Sequence, residues 1–272
     1  MKKLSNILFA LFLIQLVMLC SCSDFERRVS LDDTATKDNQ GESIVFAEQV
    51  EYDSLRKIID SEKDLTQAQS LDYEDRGANH SRVTALLNKK NKVVKLALEE
   101  VANDGKMIRT SFYYSGAAVF FAKQEIYDYT KEKNAYGLIY SYFGNNNKVI
   151  YSAAKMANTE EELNSKVALR TQKTMFDPSK AKNIINQKGD FETRYQGHID
   201  TEQYLFILVG TRGKNAQQSA IAYNKNFPLA EMLVKNEKEY LNRKLRVNFN
   251  TVTEINNFSY QGLTGIQLIN EK

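Results

Sequence analysis

Histidine and cysteine carry much of the acid–base, nucleophilic and metal chemistry of proteins, and each occurs only twice in these 272 residues. His80 stands in the polar run Gly77-Ala78-Asn79-His80-Ser81. It could act as a general base or a metal ligand, but no second His or Cys lies near it in sequence, so it reads as a solvated loop histidine. His198 falls on an expected strand and reads as half-exposed. A Ser-His-Asp triad leaves no local signature because its members are not adjacent, and no Gly-x-Ser-x-Gly elbow is present. Asp72-Tyr73-Glu74-Asp75-Arg76-Gly77-Ala78-Asn79 gathers oxygen ligands around a glycine. It lacks the alternate spacing and closing Glu of a calcium loop and reads as a surface turn. Gly210-Thr211-Arg212-Gly213-Lys214 lacks the spacing of a phosphate-binding loop. It reads as a polar hairpin turn whose Arg212 and Lys214 could meet an anion. No metal or cofactor is expected from this inventory.

Both cysteines lie at the end of an apolar leader. Lys2 and Lys3 open the chain, Leu4–Leu19 is interrupted only by Ser5, Asn6 and Gln15, and Leu19-Cys20-Ser21-Cys22 follows. A basic start, an apolar stretch and a small residue before the cut make a secretory signal over residues 1–22. The run from Ile7 to Leu19 is shorter than the roughly 20 residues of a spanning helix. Leu19 and Ser21 ahead of Cys22 resemble the lipobox of bacterial lipoproteins. Cys22 fits the pattern better than Cys20, which would have Leu19 where a small residue is wanted. The resemblance implies cleavage before Cys22 and a lipid on its sulfur, with the membrane as a partner. Ser23 in the next position resembles the outer-membrane sorting pattern. The implied location is the outer membrane, with the periplasmic side favoured over the cell surface because Arg27-Arg28 interrupts the acidic residues Asp24 and Glu26.

Cleavage removes Cys20 and lipidation consumes Cys22, so the mature chain would have no thiol, disulfide or cysteine ligand. Taking Lys2 and Lys3 from 37 basic residues against 34 acidic ones leaves a nearly neutral surface, with no electrostatic reason to expect nucleic acid. With no Trp, 15 Tyr and 14 Phe must supply the large packing groups.

The elements positioning these residues are read from period and turn chemistry. Residues 23–43 are polar and aperiodic, the pattern of a flexible tether. Leu55, Ile58 and Ile59 predict a helix over Tyr52–Lys63. Residues 65–81 give no periodic signal. Strands are expected at Val83–Leu87, Val93–Val101, Met107–Tyr114, Ala117–Tyr129, Leu138–Phe143 and Val149–Ala153, with Asp104-Gly105 as a hairpin turn. Short links make them an antiparallel meander. Thr159-Glu160-Glu161-Glu162 is a capping box for a helix running towards Met175, and Asp177-Pro178 opens another. A domain boundary is expected near Gly189, dividing a β-meander domain with flanking helices (44–188) from a second domain (189–272).

Residues 189–272 read as three strands (193–201, 204–210 and 219–223), a helix from Pro228 and two more strands (245–251 and 263–269). Tyr240-Leu241-Asn242-Arg243-Lys244-Leu245-Arg246-Val247-Asn248-Phe249 resembles the helix-to-fourth-strand passage of OB-like lipoprotein domains. The fold class expected is therefore α+β, mostly β, a meander followed by an OB-like five-stranded barrel. The resemblance implies ligand binding across strands two and three, where Tyr204, Phe206, Arg212, Lys214 and Tyr223 fall. The expected function is non-enzymatic binding of a protein, glycan or other envelope component. An envelope hydrolase with an unrecognised site and an assembly subunit are the alternatives. The anchor is directly testable: Cys22→Ala should abolish incorporation of a fatty-acid probe, and label persisting on the variant would move the site to Cys20.

Overall fold

Alternating side chains and turn residues between Arg82 and Ala157 specify the largest part of the molecule. The computed structural model describes residues 46–144, 146–255 and 258–271. The leader with Cys20 and Cys22 and the expected tether 23–43 lie outside them. The described residues fall in one compact unit, Val45–Lys272.

The unit opens with helix α1 (Ala47–Ser61), which starts five residues before the expected Tyr52. Ile59 is buried, whereas Ile58 is 57% exposed, so the buried face is narrower than the periodicity implies. Two short strands, β1 (Thr66–Gln69) and β2 (Tyr73–Asp75), occupy the stretch without periodicity. Six strands then form the meander: β3 (His80–Leu87), β4 (Val93–Val101), β5 (Met107–Ser115), β6 (Ala118–Tyr127), β7 (Tyr136–Phe143) and β8 (Val149–Ala157). Each neighbouring pair is antiparallel. The Asp104-Gly105 turn forms as expected, with Gly105 at φ +89°, a conformation open to glycine at little cost.

Thr159 caps helix α2 (Glu160–Ser165), its hydroxyl accepting from Glu162 N at 3.1 Å. That helix stops well short of Met175. Val167 and Leu169 are exposed and offer no apolar face to continue it, and strand β9 (Leu169–Arg170) pairs with β8 instead. Helix α3 (Ser179–Ile185) follows Pro178, with Asp177 accepting from Ser179 N at 2.9 Å. After a 3₁₀ turn at Gly189–Phe191 come β10 (Arg194–Asp200), β11 (Leu205–Gly210), β12 (Gln217–Tyr223), α4 (Pro228–Lys235), α5 (Glu237–Tyr240), β13 (Leu245–Thr253) and β14 (Ser259–Leu268).

The chain is thus mostly β with helices. Among the described residues fourteen strands form one mixed sheet, in the order β10-β11-β12-β2-β3-β4-β5-β6-β7-β8-β9. Strand β1 pairs with β3, β14 with β12, and β13 with β14. The β12–β14 contact, Ala222 opposite Gly262, is parallel. Strands from before and after residue 188 therefore share this sheet through the β12–β2 pair.

Both faces of the meander carry core. On one, the cross-strand row Tyr113–Phe121–Tyr142–Tyr151 lies under α1 and meets Phe46, Tyr52, Leu55 and Ile59. On the other, Leu96, Phe112 and Ala122 are buried, and α3 packs there with Ala181 and Ile184 fully enclosed. Phe112, Tyr113 and Tyr114 are consecutive and all buried. In the C-terminal part Leu233 of α4 is fully buried and α4 contacts β10 and β14. Along β13 Leu245 and Val247 are buried while Arg246 is exposed.

This alternation can be measured. Leu233→Ala should cost about 2–5 kcal/mol, and Val247→Asp more, because it leaves a buried unpaired charge. Arg246→Ala, one residue away, should cost under about 0.5 kcal/mol. Denaturant unfolding checks the ranking, and a larger loss for Arg246→Ala than for Val247→Asp would contradict the register.

Candidate functional site

Beyond its ladder with β11, strand β12 serves two further neighbours. At its start Gln217 and Gln218 pair with Asp75 and Glu74 of β2, and near its end Ala222 pairs with Gly262 of β14. The sheet forks there. The Gln261 carboxamide fills the fork: its oxygen accepts from Asp72 N at 3.0 Å and Ser219 Oγ at 3.3 Å, and its nitrogen donates to Ser70 O at 3.3 Å.

Two adjoining hollows open at this fork. The first, about 270 Å³, lies between β2–β3 and the outer face of β11–β12, with Asp72, Glu74, His80, Arg82, Phe206 and Tyr260 on its walls. The second, about 590 Å³, is lined by Tyr204, Tyr223, Lys225, Val252 and Tyr260. Tyr260 borders both. Its ring lies 5.3 Å from Tyr204, and Tyr204 lies 5.9 Å from both Phe206 and Phe258. Such distances are those of interacting aromatic pairs. The Tyr204 hydroxyl donates to Glu254 Oε1 at 2.5 Å, and this bond pushes its pKa up to about 12, so the hydroxyl stays protonated.

Within the first hollow, burial raises the Asp72 carboxyl above its ordinary range, against the lowering charges of His80 and Arg82. His80 Nδ1 lies 3.7 Å from Asp72 Oδ2, longer than a hydrogen bond. The nearby serines are tied to the protein. Ser70 Oγ donates to Leu71 O and accepts from Val83 N, and Ser219 Oγ donates to Gln261. Among the described residues no three His, Asp or Glu side chains converge where a metal ion could sit.

The structure divides the residues expected to bind. Tyr204, Phe206 and Tyr223 stand together at the two hollows. Arg212 and Lys214 do not join them: they are exposed on the turn beyond the opposite end of β11, where Arg212 Nε donates to Gln196 Oε1 at 2.7 Å. His80 begins β3 rather than lying in a loop. His198 stands on β10 as expected, with Nδ1 2.6 Å from Glu237 Oε2. Sequence reasoning missed Asp72, Glu74, His80, Arg82 and Tyr260 as neighbours of these aromatics. The stretch Phe258-Ser259-Tyr260 did carry a strand signal, alternating aromatic and small residues just ahead of the expected fifth strand.

Beyond Arg82 the sheet face stays open and charged. Glu99 accepts from Arg82 at 2.5 Å and from Arg109 at 2.7 Å. Burial alone would raise its carboxyl, but the Arg109 bond and the Arg82 charge outweigh it and hold the group below the usual Glu range.

No family model matches the chain, and neither a curated protein nor a solved structure does.

The Glu99 cluster generates a pH dependence. A lowered carboxyl contributes stability that is fully present above its unfolded pKa, near 4.3, and is lost as pH falls through the lower folded value. Glu99→Gln should cost about 1 kcal/mol at pH 7, since the two arginines are partly solvent-screened. The gap from the parent chain should close as pH drops below about 4. Urea unfolding across pH 3–7 checks both the sign and the window.

Proposed function

We propose that this chain is an envelope lipoprotein, tethered through Cys22 to the outer membrane on its periplasmic side, whose folded part is a non-enzymatic binding module. Its ligand surface is the pair of hollows at the β12 fork, and its ligand is an envelope glycan. The observation that carries this reading is the cluster of Tyr204, Phe206 and Tyr260 beside Asp72, Glu74 and His80. Sugar rings have apolar faces and a hydroxyl rim. Aromatic side chains supply the first kind of contact, and carboxylates and amides the second. The commitment of the Ser70 and Ser219 hydroxyls to structural bonds favours binding over nucleophilic chemistry there.

The same reading takes residues 189–272 as an OB-like barrel. The order β10-β11-β12-β14-β13 supports it, together with the parallel β12–β14 contact and the antiparallel bridge from Arg194 to Lys244, which brings the fourth strand back to the first. Oligosaccharide binding over strands two and three is a habit of that architecture.

Full-length chain in detergent micelles should retain a solubilised envelope glycan fraction. Tyr204→Ala and Tyr260→Ala should each weaken retention about tenfold, within the range seen when an aromatic anchor is truncated, with the circular dichroism of the chain unchanged. Equal retention by the parent and both variants would refute the site.

A further inference from the structure

Another hollow, of about 300 Å³, lies at the other end of the open sheet face, where α1 meets β6, β7 and β8. Arg56 enters it from α1, and Lys123, Tyr140 and Lys155 from the sheet. The register fixes the sheet side: Lys123 lies opposite Tyr140, and Lys155 opposite Leu138, two residues along the same strand.

The donors here exceed the acceptors. Arg56 sits with its guanidinium carbon 5.1 Å from the Phe121 ring centre, and its Nε is buried with no hydrogen-bond partner. Its contact with Asp53, at 3.4 Å, is long, and that carboxylate already accepts from Tyr142 Oη at 2.8 Å. Lys155 donates to the Lys166 carbonyl at 3.1 Å, and among the described residues its charge meets no carboxylate. Lys123 pairs with Glu125 at 2.9 Å. Burial raises the Tyr140 hydroxyl and keeps it a donor. Arg56, Lys123 and Lys155 set against Asp53 and Glu125 leave one positive charge uncompensated. A guanidinium held over an aromatic ring is a favoured carboxylate receptor.

We propose that Arg56, Lys123, Tyr140 and Lys155 form a binding site for a single carboxylate carried on a ring the size of one sugar, that is, an acidic monosaccharide unit. The single uncompensated charge matches a monoanion. The volume admits one ring, with Tyr140 offering aromatic surface to it. The site is separate from the β12 fork, so it stands or falls apart from the proposed glycan surface there.

Calorimetric titration of the full-length chain in detergent micelles tests it, with glucuronate, glucose, acetate and inorganic phosphate as probes. Glucuronate should bind at least about tenfold more tightly than glucose, as expected for a charge-assisted bond, and more tightly than acetate or phosphate. A glucuronate oligosaccharide that binds no more tightly than the free sugar would confirm that one unit fills the site. One that binds about a hundredfold more tightly would overturn the single-unit assignment. Lys123→Gln and Lys155→Gln should each weaken glucuronate about tenfold; both are half-buried, so the circular dichroism of each variant should match the parent's. Arg56→Gln should weaken it further. Lys238→Gln, on α5, should change nothing. Phosphate binding as tightly as glucuronate, glucose binding equally well, or lysine variants that bind like the parent would each overturn the proposal. So would loss of glucuronate binding in Tyr260→Ala, which would place the sugar at the fork.

Discussion

Every backbone amide taken out of water needs a partner, and one strand of this protein is asked to supply partners to two arms of its sheet. Strand β12 pairs with β2 over Gln217 and Gln218 and reaches β14 only at Ala222. Between these points the ladders diverge, and polar groups on their inner edges would be left open. The Gln261 side chain closes the gap, satisfying Asp72 N, Ser219 Oγ and the Ser70 carbonyl with both ends of one amide. Tyr73 reinforces the junction from beneath. Its buried ring meets Phe191 edge-on, and its hydroxyl donates to the Phe191 carbonyl at 2.7 Å. The fork is therefore both the joint of the molecule and the reason a hollow exists beside it: two diverging arms of one sheet must leave space where they part.

Helix α1 solves a different problem, covering half of an aromatic sheet face. Tyr113 and Tyr142 bury their rings but retain hydroxyls that need acceptors. Asp60 takes the first at 3.0 Å and Asp53 the second at 2.8 Å. Seven residues apart, the two aspartates stand on one side of the helix. Burial, together with these carboxylates, raises both phenols far above their ordinary range, so both remain donors at any physiological pH. The helix is thus set by two polar bonds as well as by apolar contact, which fixes its position along the sheet and not merely its face.

Much of this could be read from the chain. Asp104-Gly105, the capping box at Thr159 and the alternation Leu245-Arg246-Val247 each act within a few residues, and each appears where local chemistry puts it. Periodicity fails where its premise fails. Phe112, Tyr113 and Tyr114 are all buried because the strand is covered on both sides, so no alternation marks its faces. Strands β1 and β2 are too short to show a period and owe their form to pairing with β3. Helix α2 ends early because an exposed Val167 gives nothing to pack. The candidate site was legible only in part: Tyr204, Phe206 and Tyr223 lie on one hairpin, whereas Asp72 and His80 come from more than a hundred residues earlier through the β12–β2 pair. Arg212 and Lys214 follow Tyr204 closely in sequence, yet an extended strand of six residues separates them from it by about 20 Å at roughly 3.4 Å per residue.

Between the fork and the α1 hollow, the sheet carries a row that register makes explicit: Arg82, Glu99, Arg109, Glu125, Leu138 and Lys155 stand opposite one another from β3 to β8. Glu99 pairs with both Arg82 and Arg109, while Glu125 pairs along its own strand with Lys123, and these charges keep the face hydrated. At the end of the row the alternation breaks. Leu138 stands where another charge would fall, and Lys155 is left without an opposite carboxylate. The excess charge assigned to the α1 hollow is therefore a property of sheet register: an interrupted ladder of ion pairs strands its last cation beside Arg56.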